Sequence, residues 1–211
     1  MRLLTASLEL FFKLLYNQLA WIYDWVAAIV SVGRWNDWVS AVIPDLGGPR
    51  ILELGHGPGH LQVSLARCKS LVYGIDTSQQ MGRLAYHRLS KSGFSPNLVS
   101  GFGEDLPFAA GGFDQVVATF PSGYIFEETT LAGILRVLAP GGKLVILPLA
   151  WINPGGFLDR MAARLFRITG QSPEWNMNLA QVFLTAGFQI QIDRRHLASS
   201  DVLIIIATKP S

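Results

Sequence analysis

Cysteine is almost missing from this chain of 211 residues: Cys68 stands alone. An intramolecular disulfide is therefore excluded, which fits a reducing cytoplasm. No Cys or His partners lie near it at ligand spacing, so no metal site is expected, and Cys68 reads as a small apolar packing residue in a helix. Charge is scarce too. Only 15% of residues are charged, with 17 basic and 15 acidic residues spread along the chain and a net charge of +2. Nothing forms the basic stripe that nucleic-acid binding needs. Internal repeats, low-complexity tracts and long linkers are lacking, and one domain of ordinary size suffices. Finally, no window supplies the ~20 apolar residues of a membrane-spanning helix. Lys13, Asn17, Gln18 and Asp24 interrupt each N-terminal candidate, and no small-residue cleavage site follows a compact apolar core.

Apolar surface, in contrast, is abundant: half of the residues are hydrophobic, and the mean hydropathy is +0.32. That composition implies a greasy substrate pocket or a membrane-facing surface. Between Arg2 and about Ser40, Leu4, Leu8, Phe11, Phe12, Leu15, Leu19, Ile22 and Val26 fall on one helical stripe, while Arg2, Glu9, Lys13, Asn17 and Asp24 gather opposite. A helix roofing the site and an interfacial membrane helix are both compatible with that stripe; a spanning or signal segment fits less well.

The stretch Ile51-Leu52-Glu53-Leu54-Gly55-His56-Gly57-Pro58-Gly59-His60-Leu61 runs from an apolar strand through three glycines into a helix. Glycines let the backbone turn sharply and approach a ligand, and the helix start points free N–H groups at the same place. This is a cofactor cradle. A dinucleotide fingerprint would need a glycine at position 60, where His60 stands, and a nucleotide P-loop would need Ser or Thr after Gly142-Lys143, where Leu144 stands. Asp76, 21 residues past Gly55 at the end of a second strand, is placed to accept ribose hydroxyls or, alternatively, to cap the helix near Ser78 to Ser90. Thr77 and Ser78 are better caps, which leaves Asp76 for a ligand.

Glu53, Gly55, Gly57 and Gly59 resemble motif I, E-x-G-x-G-x-G, of the class I S-adenosylmethionine-dependent methyltransferases. Three further stretches follow in the family's order: Gly101-Phe102-Gly103-Glu104-Asp105-Leu106-Pro107-Phe108 is similar to G-D-A-x-x-L-P-F, Phe113-Asp114-Gln115-Val116 to F-D-x-V, and Arg136 to Leu144 to R-V-L-x-P-G-G-x-L. Tyr16 to Asp24 resembles, more weakly, a segment preceding motif I in the type 11 group. The resemblance spans residues 50 to 208. It implies a three-layer α/β/α sandwich, with a Rossmann-like, mostly parallel seven-stranded sheet whose last strand is antiparallel, at residues 49–211, behind a helical extension or lid at 1–48. It implies S-adenosyl-L-methionine as cofactor, held by Tyr23, Glu53, Gly55, His56, Gly57, Gly59, Asp76, Thr77, Phe102, Gly103, Glu104 and Phe120, with no metal. Tyr23 would close over the methionine end. Phe102 occupies the position of the adenine-reading Asp, so backbone groups at Phe102 and Gly103, assisted by Glu104 or Asp105, are expected to read the base. The loop after the fourth strand, with Phe120 as a flat wall, is expected to border the transferable methyl.

A general base is needed only for a substrate protonated at neutral pH. His56 and His60 lie closest to the cradle, although a surface or capping role suits His60 better; His87 and His196 look structural. The aromatics Trp21, Trp25, Phe120, Tyr124, Trp151, Phe157 and Phe166 around the inferred mouth suggest an apolar small-molecule substrate such as a quinone, a polyketide-like phenol or a lipid. The alternative is a cofactor-binding protein without transfer activity that acts on a membrane or partner through its N-terminal face. A cytoplasmic enzyme, with peripheral membrane association through that helix as an option, is the expectation.

Overall fold

The computed structural model describes residues 33–152 and 177–211. Tyr23 and the other N-terminal positions singled out above, with Phe157 and Phe166, lie outside those residues, as do the lid and membrane readings of residues 1–32.

The central strand segments are apolar on both faces, the pattern expected of a sheet covered on each side, whereas the edge segment Gln189–Leu197 is largely polar. In order, the elements are α1 (Trp35–Ser40), β1 (Arg50–Leu54), α2 (His60–Arg67), β2 (Leu71–Asp76), α3 (Gln79–Lys91), β3 (Leu98–Ser100), β4 (Phe113–Thr119), a 3₁₀ turn (Gly123–Phe126), α4 (Glu128–Val137), β5 (Leu138–Ile152), α5 (Met177–Thr185), β6 (Gln189–Leu197) and β7 (Ser200–Thr208). They form a seven-stranded sheet in the order β3-β2-β1-β4-β5-β7-β6. The first five strands of that order run parallel, and β7 lies antiparallel between β5 and β6. The expected Rossmann-like sandwich, with its antiparallel last strand, is what the chain forms.

Alternation along the strands builds two cores. Leu52, Leu54, Ile75, Val116, Ala118, Ile146 and Ile205 pack against Leu131, Ile134 and Val137 of α4 and Phe183 of α5. Ile51, Val72, Val117, Val145 and Ile204 face Trp38 and Val39 of α1 and Leu61 and Leu65 of α2. Trp38 is fully buried and donates its indole N–H to Ser200 Oγ at 2.8 Å, so α1 is tied to the start of β7. Cys68 corrects the sequence reading. It caps the C-terminus of α2 and is exposed rather than packed, because the helix ends at Arg67, immediately before it.

The conserved-looking spacing of F-D-x-V serves architecture. Asp114 accepts from the Arg50 backbone N–H at 3.0 Å and from its guanidinium at 3.1 and 2.8 Å. That ion pair sits at the amino edge of the sheet, opposite the cradle. An open groove of about 480 Å³ lies at the same edge, lined by Asp45, Gly48, Asp114 and Lys143 among others, and has no cradle residue in its wall.

Gly59 sets how closely the helices flanking the cradle can approach. Its φ is +84°, and a Cβ there would stand 2.8 Å from the Ala85 Cβ and 3.0 Å from its Cα on α3. Gly59→Ala is expected to destabilise the fold by roughly 2–4 kcal/mol, combining left-handed backbone cost with overpacking. Urea unfolding checks this, and adding Ala85→Gly should make the double variant less unstable than the two single effects summed.

Candidate cofactor site

The carboxyl ends of β1 and β2 bring the motif residues together. Gly55 and Gly57 adopt φ +68° and +51°, and nothing lies within 4 Å of where a Gly57 Cβ would project. The glycines thus hold an open backbone surface, as a cradle requires. The Gly57 peptide is gripped from two sides. Its N–H donates to Asp76 Oδ2 at 2.8 Å, and its carbonyl accepts from His56 Nδ1 at 2.7 Å. Because a carbonyl can only accept, that contact fixes the His56 tautomer with the proton on Nδ1. Burial holds this imidazole below the usual histidine range, against the opposing pull of Asp76 and of the backbone bonds, so it is neutral. Arg88 of α3 ties the neighbouring turn by donating to the Pro58 carbonyl.

Asp76 is 4% exposed. Its second oxygen, Oδ1, accepts the Ser78 N–H at 2.8 Å, while Ser78 itself caps α3 by accepting from the Met81 N–H. The expectation that Asp76 stands free for a ligand is corrected: both oxygens already serve the loop. A carboxylate offers about four acceptor positions, so a ribose hydroxyl would add to these bonds instead of replacing them.

Beneath the glycines lies a polar cluster that the sequence reading missed. Glu53, 2% exposed, accepts from Gln62 Nε2 at 2.8 Å, and the same amide donates to the Tyr73 carbonyl at 3.2 Å. Gly74, the register partner of Glu53 on β2, leaves room for this: a Cβ there would meet His56 Cδ2 at 2.8 Å and Gln62 Nε2 at 3.0 Å. An isolated glycine inside a strand signals close approach, so Leu71-Val72-Tyr73-Gly74-Ile75-Asp76 carried the cue.

The loop after β3 carries the residues expected to read the base. Phe102 is 65% exposed, and Gly103 makes space for Tyr124, whose ring carbons would lie 2.7 and 2.8 Å from a Gly103 Cβ. Tyr124 spans from there to Gly55, its hydroxyl 3.4 Å from a Gly55 Cβ position. Burial pushes its phenol up, with Asp76, Glu104 and Glu53 adding to the effect, so the hydroxyl is a neutral donor. Tyr124, assigned by sequence to the substrate mouth, is therefore a wall of the cradle. Arg136 holds the loop by donating to the Leu106 and Phe108 carbonyls at 2.7 and 2.6 Å. Glu104 and Thr77 are exposed at the rim, and His60 is half-buried at the start of α2.

Phe120 ends β4 with φ +48°, an unusual value for a bulky residue. Its N–H donates to the Leu147 carbonyl at 2.7 Å, and its ring stacks on Trp35 at 4.7 Å. With Trp38 at 6.1 Å as well, the ring packs at the carboxyl end of β4 against the core that faces α1. His87 is exposed on α3. His196 binds Asp201 through Nδ1 at 2.7 Å beside Arg194, away from the glycines. Among the described residues no cluster suits a metal ion.

With this geometry in place, comparison with known proteins is informative. Residues 51–142 match the family described as "Methyltransferase domain". The ubiquinone/menaquinone biosynthesis C-methyltransferase of Wigglesworthia glossinidia brevipalpis is 28% identical over 145 residues, covering 63% of this chain and 57% of that protein. The chain thus spans between half and two thirds of the length of the curated relatives it first matches. Two solved structures share the fold. One is Haemonchus contortus phosphoethanolamine N-methyltransferase 2 with S-adenosylhomocysteine, at TM-score 0.64 and 17% identity over 85% of this chain and 53% of that one. The other is the [4+2]-cyclase SpnF, at TM-score 0.60 and 19% identity over 84% and 80%. The chain shares the fold of these structures, and residues 51–142, a little under half of it, are similar to a methyltransferase domain.

Burial, the largest influence, raises Glu53 to about 8 from its ordinary 4.5; the Gln62 bond opposes this and Asp76 reinforces it. The folded chain therefore keeps a proton that the unfolded chain has lost. Stability from this group is fully present below about pH 4.5 and is lost as pH rises through about 8. Cofactor-free protein should melt progressively lower between those limits, and Glu53→Gln, which keeps the Gln62 bond without a charge, should flatten the profile. Scanning calorimetry across that range checks this.

Proposed function

We propose that the chain binds S-adenosyl-L-methionine in this cradle and transfers its methyl group to an apolar small molecule, with quinone-type rings the favoured substrate. The observation carrying the cofactor reading is the open Gly57 backbone gripped by Asp76, beside the buried carboxyl of Glu53. Bound there, the cofactor supplies an electrophilic methyl on a sulfonium whose leaving thioether needs no assistance. The chain's own task is then to fix orientation and exclude water. Glu53, Asp76 and the Gly55–Gly59 backbone would hold the cofactor, with Tyr124 and Gly103 as walls; Phe120 and Trp35 would face the acceptor. The stacked Phe120–Trp35 pair and the quinone-methylating relatives both support a flat apolar acceptor. The SpnF likeness shows why turnover has to be measured: this fold also serves a cyclase.

Calorimetric titration should show micromolar binding of S-adenosylmethionine and none of NAD. Asp76→Ala should weaken binding roughly ten- to a hundred-fold, about 1.5–3 kcal/mol for hydrogen bonds to a charged group, and Gly57→Val should abolish it. Unchanged affinity in either variant refutes this placement of the cofactor. Incubation with demethylated quinols should release S-adenosylhomocysteine; bound cofactor with no product from quinols, phenols, amines or carboxylates refutes transfer.

A further inference from the structure

Glu53 occupies an uncommon position for a carboxyl. It is buried, it accepts a single hydrogen bond from an uncharged amide, and among the described residues no cation pairs with it. Its surroundings on every side are polar but not positive. From β2 comes the Asp76 carboxylate, stabilised as an anion by two backbone N–H donors. The glycine loop contributes His56, kept neutral by burial, and the 3₁₀ turn contributes the Tyr124 phenol, with Glu104 beyond it. Helix α2 presents the Gln62 amide, and β4 places apolar Val117 in register with Glu53. Among the described residues, a second buried anion beside Asp76 has no cation to balance it until a ligand brings positive charge.

We propose that Glu53 exchanges a proton for the ligand's positive charge: as a cationic cofactor enters the cradle, the Glu53 carboxyl ionises and its proton leaves to solvent. The balance is one neutral carboxyl plus one cation giving one carboxylate–cation pair and one released proton. The inference rests on the S-adenosylmethionine reading and adds to it a selection rule. A neutral nucleoside cannot compensate a Glu53 carboxylate, so the cradle discriminates by charge as well as by shape. Its affinity must also depend on pH, because every binding event competes with protonation of Glu53.

The test is calorimetric titration of the full chain with S-adenosylmethionine at pH 6.5, in phosphate and in Tris, whose ionisation heats differ widely. The observed heat is expected to differ between buffers by an amount equivalent to about one released proton, and the dissociation constant to rise about ten-fold per pH unit as pH is lowered from 7 to 6. Glu53→Gln should remove both effects. Measurable binding with buffer-independent heat overturns this inference and leaves the methyltransferase reading intact; a buffer dependence that persists in Glu53→Gln also overturns it, assigning the proton to His56 or another group. Absence of binding in both buffers refutes the cofactor reading and this inference together.

Discussion

The bond from the Gly57 N–H to Asp76 is the constraint on which the rest of the site depends. It joins the turn after β1 to the end of β2, and the other Asp76 oxygen organises the turn into α3. A single buried carboxylate thereby joins three backbone segments, adding to the Gly55 and His56 N–H bonds to the Ile75 carbonyl. Charge-assisted bonds of this kind are worth about 1.5–3 kcal/mol each. Glycine reaches positive φ without steric cost, so these bonds select one conformation of the turn from the many its glycines allow.

Around that bond, small residues and polar residues are placed in complementary pairs. Gly74 vacates the space that His56 and Gln62 fill, Gly103 vacates the space of the Tyr124 ring, and Gly59 lets α2 approach Ala85. Of the three motif glycines, Gly55 meets the Tyr124 hydroxyl and Gly59 meets Ala85, while the space beside Gly57 stays open. The difference separates glycines required by packing from the one whose open face suits a ligand. It also shows why three neighbouring glycines of one motif are not interchangeable.

Much of this was legible in the sequence. The strands and their antiparallel end followed from apolar segments and from the R-V-L-x-P-G-G match, and the cradle followed from Glu53 to Gly59. The order of motifs placed Asp76 correctly at the end of β2. What the sequence concealed were occupancies. Asp76 accepts from N–H groups that only the folded turn brings within reach, and Gln62, reading as one more helix position, proves to be the donor to Glu53 among the described residues. The resemblance of the Phe102–Gly103 loop to a base-reading loop did not reveal that Gly103 also makes room for the Tyr124 ring, while the Phe102 side chain is exposed. Cys68 was misplaced for a simpler reason: helix ends are the least determined part of a periodic pattern.

Phe120 links the cofactor end of the site to the acceptor end. A bulky residue at φ +48° persists only where its surroundings over-determine it, and here the Leu147 carbonyl and the Trp35 ring do so. The same strand that lies beside β1 and its glycines therefore ends in a rigid aromatic plane. A flat apolar acceptor resting on that plane would lose little freedom on binding, because the plane is already ordered, and the methyl donor would lie on the neighbouring strand ends. Transfer from a sulfonium depends chiefly on such alignment. On the proposed function, the strain at Phe120 and the buried charge at Asp76 would serve one end, placing two ligands along the carboxyl edge of the sheet.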